Sequence, residues 1–234
     1  MRTSGHCREC ATRRLCLGAG LGDDSLDALS GCMTPSEPMQ RGQYLYRAGD
    51  AAAGCYIVRS GAYKTVVNDG QGGEHVIGFH FPGEMLALGG QSEGRHTDSA
   101  VALDTSTACR VPMERLPRLW TLGTGPSLLR LIGQQDQLSA QHQTTLARSG
   151  AETRVAGFLV SLATRMERQG RATERLPLPM SRTDLANHLG MTLECLSRIF
   201  GRMTRAGVIT AGRHHVIAQQ PERLRALAFG TADA

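Results

Sequence analysis

Three cysteines, Cys7, Cys10 and Cys16, stand in a C-x2-C-x5-C run near the start of the chain, and a further one, Cys109, lies far away with residues 17–108 between. Three thiolates in so short a run can seat three corners of one metal centre. The fourth must come from elsewhere, and with Cys109 in that place folding has to carry a distant segment to the N-terminal arm. A ligand set divided in this way ties the shape of the protein to its metal, which suits a sensor.

The bulk of the chain is that of ordinary folded protein. Its 234 residues, 41% of them hydrophobic, suit two small domains with cores of their own. No run approaches the ~18 uninterrupted apolar residues of a membrane span. The opening MRTSGHCREC lacks the apolar stretch of a secretory signal. Seven cysteines without such a signal point to a reducing cytoplasm, with thiols free or bound to metal. Cys32, Cys55 and Cys195 read as small hydrophobes or lone thiols. Acidic and basic residues balance through residue 150, so the whole net charge of +5 falls in 151–234, as expected where a polyanion is met.

Four segments follow. Residues 1–18 are the cysteine and arginine arm. Residues 19–116 open with a short helix bearing Leu21, Leu26 and Leu29 and continue as short strands between glycine turns, which predicts an all-β sandwich or roll. Residues 117–149 carry a helical stripe of Leu128, Leu131, Gln135, Leu138 and His142. Such a stripe can pack on its own domain or form a seam with a second copy; a helix this long between two domains has little else to bury against, which favours the seam. Asp136 beside it either faces its twin across the seam or lies on the solvent face. A break at Ser149–Gly150 leads to residues 150–234, where Val155, Phe158, Leu159, Leu162 and Met166 mark another helix.

The most specific pattern spans 181–206. Ser181-Arg182-Thr183-Asp184 is a capping box, Gly190 stands where a left-handed residue ends a helix, and Thr192 caps the next. Two helices joined by so short a turn form a helix-turn-helix, and VIT-AGRH-HVIA after it reads as a β wing. Glu194, Ser197 and Arg198 share the polar face at the start of the second helix, where a recognition helix meets base edges. Arg198 can fork onto guanine and Glu194 can accept from cytosine. The competing reading is a solvated face with an internal Glu–Arg pair. Arg182, Arg202, Arg205 and Arg213 are the phosphate-contact candidates.

In order and spacing, the cysteine arm, "RGQYLYRAGD", "YIVRSGAYK", "GFHFPGE", "TACRVP" and "SRTDLANHLGMTLECLSRIFGRM" resemble the FNR branch of the CRP/FNR family of bacterial transcription regulators over nearly the whole chain. The resemblance implies an α+β protein: a cyclic-nucleotide-binding-like β-roll (jelly roll), a long dimerisation helix and a C-terminal winged helix-turn-helix. It implies that Cys7, Cys10, Cys16 and Cys109 hold a [4Fe-4S] cluster; four thiolates make such a cluster anionic, and Arg8, Arg13 and Arg14 lie within the arm to offset it. It implies that Glu194, Ser197 and Arg198 read a TTGAT-like half-site of a palindromic operator in double-stranded DNA. An oxygen-sensing homodimer, active when anaerobic as activator or repressor, would present the turn 78–84 to RNA polymerase. Leu193 replaces the arginine that cAMP-dependent relatives use to read guanine. Asp98-Ser99-Ala100 stands where they place an arginine on the nucleotide phosphate, so cAMP is not expected. Structural zinc, or a nitric-oxide or redox signal at the same cysteines, is the alternative. With no glycine-rich dinucleotide loop after a strand, enzyme activity is not expected.

Overall fold

A computed structural model of the chain describes residues 6–147 and 150–230. Among them a 3₁₀ turn covers Cys7–Glu9, followed by helix α1 (Asp23–Ser30) and eight strands: β1 (Thr34–Pro35), β2 (Tyr44–Tyr46), β3 (Gly54–Ser60), β4 (Tyr63–Asn68), β5 (Glu74–His80), β6 (Met85–Leu86), β7 (Ser99–Ala102) and β8 (Thr107–Pro112). Helices α2 (Leu116–Thr121), α3 (Gly125–Ala147) and α4 (Ala151–Arg168) come next, then β9 (Arg175–Pro177), α5 (Arg182–His188), α6 (Leu193–Arg205), β10 (Ile209–Ala211), β11 (His215–Ala218) and α7 (Pro221–Phe229). The helix break expected at Ser149–Gly150 lies partly outside the described residues, since Ser149 is not among them; α3 ends at Ala147 and α4 starts at Ala151. No helix among the described residues is long and apolar enough to cross a membrane. Contacts divide the chain into two units, one up to Leu138 and one from Ser139.

In the first unit, two four-stranded sheets, β1-β8-β3-β6 and β2-β7-β4-β5, form the roll. Side chains alternate across a strand, and β3 and β8 use both faces. Val58 and Ala108 join Tyr46, Tyr63, Leu86, Ala100 and Ala102 in one core. Cys55, Ile57, Cys109 and Val111 point the other way into a second core. There they meet Cys16 and Leu17 of the arm, Leu26 and Leu29 of α1, Leu119 of α2 and Leu131 of α3.

Leu131 requires a correction to the expected seam. It is 1% exposed within its own unit, and Leu128 packs against the same cluster. In the first unit, the large apolar side chains that α3 leaves in solvent are Leu129, 63% exposed, and Ile132, 41% exposed, with Asp136 exposed in line with them. The arm and α1 supply the burial that the linear pattern had assigned to a second copy.

In the second unit, α4 buries Val155, Phe158, Leu159, Leu162 and Met166 along one face. The capping box forms in full: Ser181 Oγ accepts from Asp184 N at 2.9 Å, and the Asp184 carboxylate accepts from Ser181 N at 3.2 Å. Gly190 takes φ +61, and Thr192 Oγ1 caps α6 by accepting from Cys195 N at 3.1 Å. The wing has a third strand, β9, which pairs antiparallel with β11. Helix α7, with Leu224 and Ala228 buried, also had no expectation; its signals are Pro221 in the first turn and Gly230 at φ +70 after the last.

Candidate functional site

The N-terminal arm is held against α1 and the outer face of the roll. The Arg8 guanidinium sits 2.6 Å from Asp27 and 3.7–3.8 Å from Asp24 and Asp23. Acidic residues in the first turn of a helix are favourable in themselves, and here they also anchor the arm. Cys7 N donates to Ser30 Oγ at 2.8 Å, and that hydroxyl donates to Leu26 O at 2.8 Å. Cys10 Sγ lies 3.1 Å from Thr12 Oγ1. Cys16 is 6% exposed, with its sulfur accepting from Gly18 N at 3.5 Å. Cys109, half-buried on β8, pairs across the sheets with Ile57 and Pro35.

The four thiols are close enough to feel one another's charge. Burial pushes Cys109 up to about 12, opposed by the Arg59 guanidinium and reinforced by Cys10, Cys7 and Cys16. Burial likewise raises Cys16 to about 11, eased by the Gly18 N–H and increased by Cys10 and Cys7. Cys7 is raised by burial, with Ser30 and Arg59 acting against it and Cys10 with it. Fold thus brings residue 109 to the arm. Yet among the described residues no three His, Cys, Asp or Glu side chains converge tightly enough to hold a single metal ion.

The expected charge compensation is also redistributed. Arg8 faces the acids of α1, and Arg13 Nη1 donates to Arg8 O at 2.6 Å. The cation beside Cys7 and Cys109 is Arg59. Arg59 lies two residues beyond Ile57, the cross-strand partner of Cys109, where the register of β3 against β8 shifts between Val58 and Ser60. Nothing in the linear sequence marks it, because the signal is a strand register.

On α6, Leu196, Ile199, Phe200 and Met203 are buried while Glu194, Ser197 and Arg198 are exposed on the opposite side. Glu194 and Arg198 approach to 3.6 Å with both side chains largely in solvent. Such a pair contributes little to stability and leaves both groups available to a ligand. Arg202, Arg205 and Arg213 are exposed, and Arg202 also bonds Glu152 of α4 at 3.1 Å. Arg182 is a correction to the phosphate set. Its guanidinium lies 4.1 Å over the Phe200 ring and donates to Gly212 O at 2.8 Å. Burial lowers its pKa. It fastens the turn of the wing to α6, a cation–π and hydrogen-bonding role.

Inside the roll, the Tyr46 ring stacks on His96 at 4.1 Å and on Tyr56 at 5.6 Å, and its hydroxyl donates to Asp98 at 3.3 Å.

Comparison with known proteins places these features. Residues 153–227 match the model of the Crp-like helix-turn-helix domain, and residues 37–121 match that of the cyclic nucleotide-binding domain. The chain is 34% identical to the transcriptional activator protein Anr of Pseudomonas protegens, over 97% of this chain and 94% of that one. It is 32% identical to the fumarate and nitrate reduction regulatory protein of Escherichia coli K12, over 97% and 91%. FixK2 of Bradyrhizobium japonicum has the same fold, with a TM-score of 0.73 at 24% identity, covering 83% of this chain and 96% of that one. Proteins of this kind are regulators and not enzymes. The chain belongs to the CRP/FNR family, as a DNA-binding transcriptional activator of the FNR type.

Proposed function

We propose that this activator senses oxygen through a [4Fe-4S] cluster held by Cys7, Cys10, Cys16 and Cys109. The observation that carries the reading is that the fold gathers Cys109 of β8 with the three arm cysteines beside one buried apolar cluster. Protonated, such thiols are stable where they are; as thiolates they need a polycation among them, which iron supplies. Held by these four thiolates, the cluster would supply an iron–sulfide core that oxygen can convert or strip. The chain's own residues do the rest: Arg59 lowers the cost of negative charge at Cys7 and Cys109, and the ion pairs of Arg8 keep the arm on α1.

Cys16 shares its core with Leu131, so the seating of the arm bears on α3. The face of α3 bearing Leu129, Ile132 and Asp136 then meets a second copy. Two helix-turn-helix units are needed to read a palindrome, and loss of the dimer removes most specific affinity. Glu194, Ser197 and Arg198 read base edges of a TTGAT-like half-site, and Arg202, Arg205 and Arg213 contact phosphates. Contact with RNA polymerase belongs to this reading, but not through 78–84 as expected, because Phe79, His80, Phe81 and Gly83 are buried there. cAMP has no part: the Asp98 carboxylate would repel a phosphodiester, and Tyr46, Tyr56 and His96 stack beside it. A reducing cytoplasm suits such thiols.

Iron and acid-labile sulfide analysis of anaerobically purified protein, with its visible spectrum, tests the reading. About four iron and four sulfide per chain and a broad band in the blue are expected. Colourless or zinc-bearing protein that grips the operator equally well overturns it.

A further inference from the structure

Immediately after the last arm cysteine, the chain runs along one face of α3 and is held there by successive side chains. Ser127 Oγ donates to Ala19 O at 3.2 Å. Arg130 Nη2 donates to Leu15 O at 3.0 Å and to Cys16 O at 3.3 Å. Leu131 is buried in the core that contains Cys16 and Leu17. Gln134 accepts from Arg130 Nη1 at 3.4 Å, steadying the guanidinium. Positions 127, 130, 131 and 134 fall at i, i+3, i+4 and i+7, which is one side of a helix.

Arg130 stands out in this group because one of its three acceptors is the carbonyl of a proposed ligand residue. A guanidinium presents its donors in a rigid planar fork, so two carbonyls engaged by it are fixed in direction as well as in distance. The peptide of Cys16 therefore cannot shift without disturbing α3, nor can α3 rotate about its axis without moving Cys16. On the far side of the same helix lie Leu129, Ile132 and Asp136, exposed.

We propose that Arg130 is a positioning residue that locks the Cys16 peptide to α3, so that the seating of Cys16 sets which face of α3 is offered to a second copy. Its consequence for dimerisation rests on the [4Fe-4S] reading above, whereas the lock itself stands on the hydrogen bonds. A lysine offers a single point of charge and cannot hold both carbonyls in one plane.

The test uses full-length Arg130→Ala and Arg130→Lys beside the parent chain. Amide hydrogen exchange is followed in peptides spanning residues 14–21 and 126–134, on protein as purified. Exchange severalfold faster in both segments for Arg130→Ala, and intermediate for Arg130→Lys, is expected; parent-like exchange overturns the lock. Anaerobic sedimentation on samples of measured iron content then reads the dimer. At iron content equal to the parent, a dimer dissociation constant raised about tenfold is expected for Arg130→Ala, the loss of one charge-assisted hydrogen bond being of that order. A parent-like constant at equal iron shows a merely structural contact and overturns the positioning role. Should the parent itself hold no iron and sulfide, the cluster reading fails, and the exchange comparison still decides the lock.

Discussion

The imidazole of His142 on α3 lies flat on that of His188 at the end of α5, with centroids 4.0 Å apart and planes within 10°. Phe158 of α4 closes the stack edge-on at 5.8 Å from His188. Leu146, one turn further along α3, reaches the left-handed Gly190 that ends α5. Within the second unit, the end of α3 is thus seated on the turn of the helix-turn-helix.

Burial holds the His142 ring below the ordinary imidazole value. Between that lowered value and the unfolded value of about 6.5, the unfolded chain binds more protons than the folded one. Stability is therefore complete above about pH 6.5 and declines as the pH falls below it. Melting temperatures between about pH 5 and 8 should show this decline, and His142→Gln should flatten it. An unchanged slope in the variant would exclude His142 as the group responsible.

The two sides of α3 should separate by mutation. Leu131→Ala, which empties part of the core shared with the arm, is expected to cost about 2–5 kcal/mol of stability. Ile132→Glu, on the exposed side, is expected to leave the monomer's melting unchanged and to abolish cluster-dependent dimers. Denaturant melts and sedimentation read the two effects; a destabilised Ile132→Glu monomer would contradict the division.

Arginines of the second unit should fall into three classes. Arg198→Ala is expected to cost ~1–3 kcal/mol per half-site and to relax the preference for guanine; equal loss on every sequence would refute base reading. Arg213→Ala should weaken all DNA alike and reduce the salt slope by about one, with no change in melting. Arg182→Met should lower the melting temperature, because it frees the wing turn from Phe200 and Gly212. Titrations at several salt concentrations, paired with melts, distinguish them.

Gly83 adopts φ +90, and a Cβ there would lie 2.5 Å from Leu15 Cβ. Gly83→Ala should add backbone strain of about 1–3 kcal/mol and push Leu15 away, taking the adjacent Cys16 out of register. Lower iron content after anaerobic reconstitution is expected, partly regained in Leu15→Gly/Gly83→Ala, which removes the opposing Cβ as well. Full iron content in the single variant would show that the arm tolerates the displacement.

Local chemistry was enough to read the DNA-binding half. The capping box at Ser181, the left-handed Gly190 and the cap at Thr192 are interactions among residues a few positions apart, so their sequence pattern is their structure. The helical stripe of α3 was equally plain, but not what would cover it. Two adjacent stripes exist, one through Leu128 and Leu131 and the other through Leu129 and Ile132, and only the docking of the arm and α1 decides which is buried. For the same reason Arg182 and Arg59 could not be assigned in advance: a guanidinium's partner across 18 or 50 residues depends on packing and strand register, not on its neighbours in the chain. The cysteine spacing called for a distant fourth thiol; bringing Cys109 of β8 beside the arm was the work of the tertiary fold, which alone can bury charges together that the linear chain keeps apart.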